Sequence, residues 1–138
     1  MRPNTLCEAA ERMRAGTPRA IAIGEFLDAF YTASVDTRAA MLDPEPPHLD
    51  SAKENALMAA IAEHLAKSWL DRGAPRWAEA PSRFLDRPWF TAKAHDPGLC
   101  EYLTFSSPAA FKRRNIMTDG APLRRATTPP SRFGDKSP

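Results

Sequence analysis

Apolar residues recur along this chain at the three-to-four-residue spacing of amphipathic helices. The clearest stripe comprises Leu57, Met58, Ile61, Leu65 and Trp69. Ser51 precedes this stripe and Glu54 follows three positions later, the spacing at which two side chains satisfy the free backbone groups of a helix start. Gly73 and Pro75 close the segment, so the pattern predicts a long helix from residue 51 to residue 70.

Shorter helices are predicted on both sides of this segment. Their ranges are 4–15, 17–32, 37–42, 96–105, 109–114 and 121–126. Three of them begin with a capping residue followed by proline, at Thr17-Pro18, Asp96-Pro97 and Ser107-Pro108. In such a pair we expect the side chain to cap the helix and proline to take the first helical position. Asn4 or Thr5 is expected to cap the first helix, and Asp36 the third.

Gly24 lies inside the second predicted helix, at residues 17–32. Glycine is unfavourable there by about 1 kcal/mol relative to alanine. A glycine within a helix usually marks the close approach of a neighbouring element, so we expect tight packing at this position.

Prolines, of which there are 14, separate these helical segments. Residues 43–47 read Asp-Pro-Glu-Pro-Pro and must form an extended connector. Residues 74–90 place four large aromatic rings among three prolines, a pattern that permits only single helical turns. No run of five residues has the alternation of a strand. The predicted fold class is therefore all-α, an irregular bundle of five to seven helices with a Pro- and aromatic-rich connector.

The length of 138 residues allows one domain, which we place at residues 1–126. From residue 127 the composition of Thr, Pro, Ser, Gly and Lys predicts a disordered, basic C-terminal tail at 127–138. The formal net charge is only +2, but from Lys112 onward the chain carries seven basic residues against two acidic ones. This asymmetry indicates a basic C-terminal surface on a mildly acidic body.

Several classes of protein are disfavoured by the sequence. Cys7 and Cys100 are the only cysteines, too few for a secreted disulfide scaffold. The first residues lack the apolar stretch of a signal peptide, and no segment approaches the roughly 20 apolar residues of a membrane span. We therefore expect a cytoplasmic protein that does not bind membranes.

The residue patterns of common catalytic and metal sites are also missing. His48, His64 and His95 are isolated in sequence, without the His-Glu-x-x-His spacing that places two ligands one turn apart. Neither a Gly-x-Ser-x-Gly nucleophile motif nor a glycine-rich phosphate loop is present. We expect no catalytic residues, no cofactor and no metal, and so a protein that acts by binding.

Two segments carry candidate binding residues. The first interleaves arginine with aromatic rings, the residue types enriched in interface hot spots. The second is a pair of basic clusters near the C-terminus. The candidate contact residues are Trp77, Arg83, Trp89, Phe90, Lys112, Arg113, Arg114, Arg124 and Arg125.

Both segments have an alternative interpretation. The rings could fill the domain core while the arginines extend to the surface. The basic clusters could interact only with the carboxyl ends of their own helices, or could meet an acidic protein surface or nucleic acid phosphates. A helix-turn-helix over 107–126 would have a second helix too short for a usual recognition helix.

The chain resembles a family of small bacterial helical proteins over about residues 21–126. The resemblance rests on Glu25-Phe26-Leu27-Asp28 with Phe30-Tyr31, Glu45-Pro46-Pro47, the segment 59–66, Pro75 with Trp77, Arg83-Phe84-Leu85 with Pro88-Trp89-Phe90, Ser107-Pro108-Ala109-Ala110-Phe111 with Arg113-Arg114, and Leu123-Arg124-Arg125-Ala126. The family resembles the smaller partner of toxin–antitoxin gene pairs whose toxin is nucleotidyltransferase-like. This resemblance implies a binding role and supplies no catalytic residues.

Our leading hypothesis is an antitoxin-like protein that neutralises a cognate toxin protein by covering its active site. The arginines would then pair with carboxylates of the toxin. The alternative is a nucleic-acid-binding transcriptional regulator that uses the basic C-terminal surface. The sequence leaves the identity of the partner and the oligomeric state open.

Overall fold

The computed structural model describes residues 2–91, 97–126 and 128–129. Over these residues the fold is all-α, as predicted. The helices are α1 (Leu6–Arg14), α2 (Arg19–Thr32), α3 (Val35–Leu42), α4 (Ala52–Trp69), α5 (Pro97–Ser106) and α6 (Ala109–Lys112). Two 3₁₀ turns, Arg76–Glu79 and Pro81–Arg83, follow α4. The predicted single turns between residues 74 and 90 are thereby confirmed.

Hydroxyl side chains cap the starts of α1, α3 and α4. Thr5 accepts a hydrogen bond from the backbone N–H of Glu8 at 3.0 Å, and Ser51 accepts one from Glu54 at 3.2 Å. Each satisfies one of the backbone donors that a helix start leaves free. The third cap is Ser34, so the predicted cap at Asp36 was two residues too late.

The predicted caps at Thr17-Pro18 and Ser107-Pro108 were wrong. In both pairs the proline itself takes the capping position with an extended ψ, and no side chain caps the helix. Ser107 instead accepts a hydrogen bond from the backbone N–H of Thr118. The cap predicted at Asp96 lies outside the described residues.

The core lies between the helices and is built mainly from α1, α2, α4 and α6. Its largest fully buried apolar side chains are Leu6, Phe26, Phe30, Leu42, Met58, Ile61, Leu65, Phe111 and Ile116. Phe26 and Phe30 lie one turn apart in α2 with ring centroids separated by 6.1 Å. Aromatic pairs at this distance add to the stability gained from apolar burial.

A short parallel ladder was not predicted. It pairs β1 (Trp89–Phe90) with β2 (Ile116–Met117), in the register Trp89 with Ile116 and Phe90 with Met117. Asn115 adopts a left-handed conformation (φ 64°) immediately before β2, and its side-chain amide donates to the carbonyl of Leu85. Two-residue strands leave no period-2 pattern in a sequence, which is why none was detected.

The helix predicted at 121–126 is absent. Asp119 Oδ1 accepts a hydrogen bond from the backbone N–H of Ala121, which favours a turn over a helix. Residues 122–126 continue as turn and irregular structure across α2. The predicted tail at 127–138 lies outside the described residues except for Thr128 and Pro129, and Thr128 bonds to the backbone of Arg125.

Candidate partner-binding surface

A buried carboxylate organises two of the arginines predicted as contact residues. Glu63 lies on α4 and is buried. Its Oε1 accepts hydrogen bonds from Arg114 at 2.6 Å and from Arg113 at 3.0 Å, while Oε2 accepts from Lys67. The basic residues after α6 are therefore held by a carboxylate that lies about 50 residues earlier in the chain.

The electrostatics of Glu63 follow from this arrangement. Burial alone would raise the pKa of its carboxyl, but the hydrogen bonds from Lys67, Arg114 and Arg113 lower it to about 2. Arg114 is enclosed as well, and burial lowers the pKa of its guanidinium although Glu63 opposes the shift. Both groups are charged at neutral pH, so they form a buried ion pair inside the domain.

Arg114 also donates to the backbone carbonyls of Ala110 and Ala78, which ties α6 to the first 3₁₀ turn. Its side chain has no exposed surface. The prediction that Arg114 meets a partner is therefore corrected, because its guanidinium is enclosed and both of its terminal nitrogens already donate hydrogen bonds within the chain. Arg113 is partly exposed, yet it pairs with Glu79 as well as with Glu63.

Arg83 is the second buried arginine and is also corrected as a contact residue. Its Nη2 donates to the carbonyl of Pro46 at 2.7 Å and to Glu45 at 3.2 Å, and its Nη1 donates to the carbonyl of Asn55. The guanidinium lies 5.0 Å from the centre of the Trp77 ring. Arg83 thus fastens the connector, which in the structure spans residues 43–50 between α3 and α4, to the start of α4.

The predicted aromatic contacts are half-buried. Trp77 packs against the core and donates its indole N–H to the carbonyl of Leu42 at 3.1 Å. Trp89 and Phe90 lie in β1, where Trp89 also packs against the core. Arg19 and Lys53 lie over the Trp89 ring, at 5.4 Å and 5.7 Å from its centre. Trp89 therefore has two cationic side chains over its ring, whereas Trp77 has one, Arg83.

The Arg125 side chain packs across α2 and is held there by an ion pair. Its guanidinium makes two hydrogen bonds to the Asp28 carboxylate, at 3.0 and 2.8 Å. A Cβ at Gly24 would lie 2.9 Å from Nη1 of Arg125. The predicted close packing at Gly24 is confirmed, and the neighbour is the Arg125 side chain. Tyr31 secures the same segment by donating its hydroxyl hydrogen to the carbonyl of Leu123 at 2.8 Å.

Lys112 and Arg124 are the two predicted cations that remain available. Both are exposed, and within the described residues neither forms an ion pair. Arg124 stands at the edge of a groove of about 310 Å³ between α2, α4, β1 and residues 122–125. The groove brings Trp89, Arg124 and Arg125 together, whereas Trp77, Arg83 and Arg114 lie elsewhere.

Helix α5 carries exposed apolar residues that were not among the predicted contacts. Leu99, Tyr102 and Phe105 are 37%, 59% and 76% exposed, and they recur every three residues. Leu103, between them, is buried. Five of the seven residues from 99 to 105 are apolar, which is more than one helix face can bury. That excess was the sequence signal for an exposed apolar face.

Two of the three histidines, His48 and His64, lie among the described residues, and His95 lies outside them. His48 shares a hydrogen bond with the Ser82 hydroxyl, and the His64 ring packs against Trp69 and Phe111. Among the described residues, no three His, Cys, Asp or Glu side chains come together as a metal site. No helix in the described part of the chain has the length and apolarity needed to cross a membrane.

The comparisons with known proteins add no family or function. No protein-family model matches the chain, and no curated protein or solved structure is significantly similar to it.

Proposed function

We propose that this chain is an antitoxin-like binding protein that neutralises a cognate toxin enzyme by direct contact. The sequence resemblance implies that this toxin is a nucleotidyltransferase. The observation that supports protein binding best is the exposed apolar face of α5, formed by Leu99, Tyr102 and Phe105. We call these three residues the α5 face.

An exposed face of this kind favours association with a protein. Covering apolar surface is worth about 25 cal/mol per Å² removed from water. Single exposed apolar residues are ordinary, but a group on one helix usually marks an interaction site. Tyrosine is among the residues that contribute most to protein interfaces, and large rings supply much contact area. The α5 face therefore fits the centre of a contact with a protein partner.

A nucleic acid is the less favoured partner. Arg113, Arg114 and Arg125 are engaged by Glu63, Glu79 and Asp28, so a phosphate would have to compete with existing ion pairs. Residues 121–126 form no helix that could enter a groove of DNA. A cytoplasmic location is part of the proposal, because two cysteines are too few for a secreted disulfide scaffold.

Co-expression with the product of the neighbouring gene, tagged for purification, tests the proposal. We expect the two proteins to purify together, and the chain to relieve the growth inhibition that its neighbour causes. Replacing Phe105 by Ser should weaken the complex about tenfold or more, the loss expected for a large ring at the centre of an interface.

The matched control is Val35→Ser, which removes another exposed apolar side chain from a different helix. This variant should bind as tightly as the unaltered chain. If the chain purifies alone and growth stays inhibited, the antitoxin function is wrong. If the complex forms but Phe105→Ser binds as well as Val35→Ser, the partner binds elsewhere on the chain.

A further inference from the structure

The groove between α2, α4, β1 and residues 122–125 has an apolar floor and a cationic rim. The floor is made of buried side chains, namely Ile23, Leu27, Ile61, Phe111 and Leu123. Arg19, Arg124 and Arg125 stand at the rim together with Trp89. A ligand that fits this groove must offer an apolar group to the floor and negative charge to the rim.

The positive charge at the rim exceeds what the chain itself neutralises. Arg19 lies 3.5 Å from Glu54, and Arg125 is paired with Asp28. Arg124 is the third cation that lines the groove. Lys53 does not line it but lies 5.7 Å from the centre of the Trp89 ring. Neither Lys53 nor Arg124 is within 4 Å of a carboxylate in the described part of the chain. Among the described lining residues, Arg124 is therefore the cation left to pair with a ligand, and Lys53 adds positive charge at the Trp89 ring.

The size and rigidity of the groove limit what it can hold. A volume of about 310 Å³ is at the lower end of the range for small-molecule pockets, and it suits one or two large side chains. The walls come from helices and from a segment fastened by the Arg125–Asp28 and Tyr31–Leu123 bonds. A preformed groove loses little conformational entropy when it is filled.

We propose that this groove receives a short acidic segment of the partner protein, in which an aromatic or large aliphatic side chain is flanked by Asp or Glu. The inference rests on the proposed function and names the chemistry that the partner must present. The groove is also close to α5. Ser106 and Ser107, at the end of that helix, donate to the carbonyl of Thr118, and Thr118 lines the groove. One partner could thus cover the α5 face and fill the groove.

Selection from a random 12-residue peptide library displayed on phage, with the full chain immobilised, tests the inference without the natural partner. We expect enrichment of peptides that combine a large apolar residue with neighbouring Asp or Glu. Synthetic copies of these peptides should shift the indole N–H resonance of Trp89 in the chain's NMR spectrum.

Two pairs of variants locate the binding of these synthetic peptides. Ala20 is exposed and lines the groove, so the larger side chain of Ala20→Phe should block the groove and lower the affinity for the peptides more than about tenfold. Its control, Ala40→Phe, places the same side chain at an exposed position on α3 and should not change the affinity. Arg124→Glu exchanges an attraction for a repulsion and should weaken binding about fivefold or more. Its control, Arg76→Glu, reverses an exposed charge outside the groove.

Several outcomes would overturn the inference. These are enrichment without acidic residues, binding that survives Ala20→Phe, or a fluorescent single-stranded oligonucleotide that binds the groove as tightly as the peptides. Competition by decanoate at equal concentration would assign the groove to a small amphiphile. None of these results depends on the neighbouring gene product, so a failed groove and a failed antitoxin function remain distinguishable.

Discussion

Replacing Glu63 by Gln is expected to lower the free energy of unfolding by about 3 to 5 kcal/mol. The substitution keeps the shape of the side chain but removes its charge, while Arg114 remains enclosed beside it. An unpaired buried guanidinium is costly because it has lost both water and its carboxylate partner. Urea unfolding followed by tryptophan fluorescence measures the loss directly.

Glu79→Gln is the matched control for Glu63→Gln. It makes the same chemical change on a carboxylate that also binds Arg113 but is about half exposed. Exposed pairs contribute little, so the loss should stay below about 1 kcal/mol. Adding Arg114→Met to Glu63→Gln should recover part of the stability, since the second change removes the stranded charge. Equal losses for Glu63→Gln and Glu79→Gln would contradict the buried-pair explanation.

The Glu63 carboxylate should also make the free energy of unfolding depend on pH in the acid range. The pKa of Glu63 is about 2 in the folded chain, against about 4.5 for an unperturbed glutamate. The pKa of Glu63 is lower in the folded chain than in the unfolded chain. Its ion pairs therefore stabilise the fold fully at a pH above the unfolded-state pKa, and this stabilisation is lost as the pH falls toward 2. Glu63 should thus account for about 3 kcal/mol of stability lost between pH 5 and pH 2. That component should be missing in Glu63→Gln.

Removal of the Arg83 side chain is the second change with a large expected effect. Arg83→Ala should destabilise the domain by about 3 kcal/mol, because it leaves a cavity and removes the hydrogen bond that Arg83 donates to the Pro46 carbonyl. The connector at 43–50 should then be cleaved faster in limited proteolysis, since Arg83 holds it against the start of α4.

Arg83→Met separates the two contributions. Methionine fills most of the space and introduces no charge, so its cost should be smaller than that of alanine. Arg76→Ala removes an exposed arginine seven positions earlier and should change stability by no more than about 0.5 kcal/mol. If Arg83→Ala were as mild as Arg76→Ala, the structural role of Arg83 would be wrong.

Local sequence signals accounted for most of the helices. The Ser51–Glu54 cap and the stripe that follows it predicted α4 almost to the residue, because both signals act over a few positions. The proline-rich segments were also read correctly as non-helical. The failures at 121–126 and at the Thr17 and Ser107 caps came from side chains or prolines that favour turns as readily as helix starts.

Local sequence signals could not predict which arginines are buried and which are exposed. Arginine is usually exposed, so Arg83 and Arg114 were expected at the surface. Their burial depends on partners far away in sequence, Glu63 for Arg114 and the Pro46 carbonyl for Arg83. Long-range pairing of this kind leaves no periodic signal. The same limit applies to the groove, whose lining comes from residues 19–27, 57–61, 89–91, 111–118 and 122–125, which are far apart in sequence.

In helix α5, by contrast, the sequence did contain a signal for the exposed apolar face. A helix was predicted at 96–105 and is found at Pro97–Ser106, but the prediction did not say which of its apolar residues are exposed. Five of the seven residues from 99 to 105 are apolar, and in the structure Leu103 is buried whereas Leu99, Tyr102 and Phe105 are exposed.

Hydrogen–deuterium exchange tests most directly whether the α5 face and the adjoining groove bind the partner. It should be measured on the chain alone and in complex with the neighbouring gene product. We predict slower exchange in the complex at residues 97–106 and 19–27, with little change in α3 and in the connector at 43–50. Protection confined to α3 or the connector, with α5 unchanged, would contradict a partner-binding surface on α5.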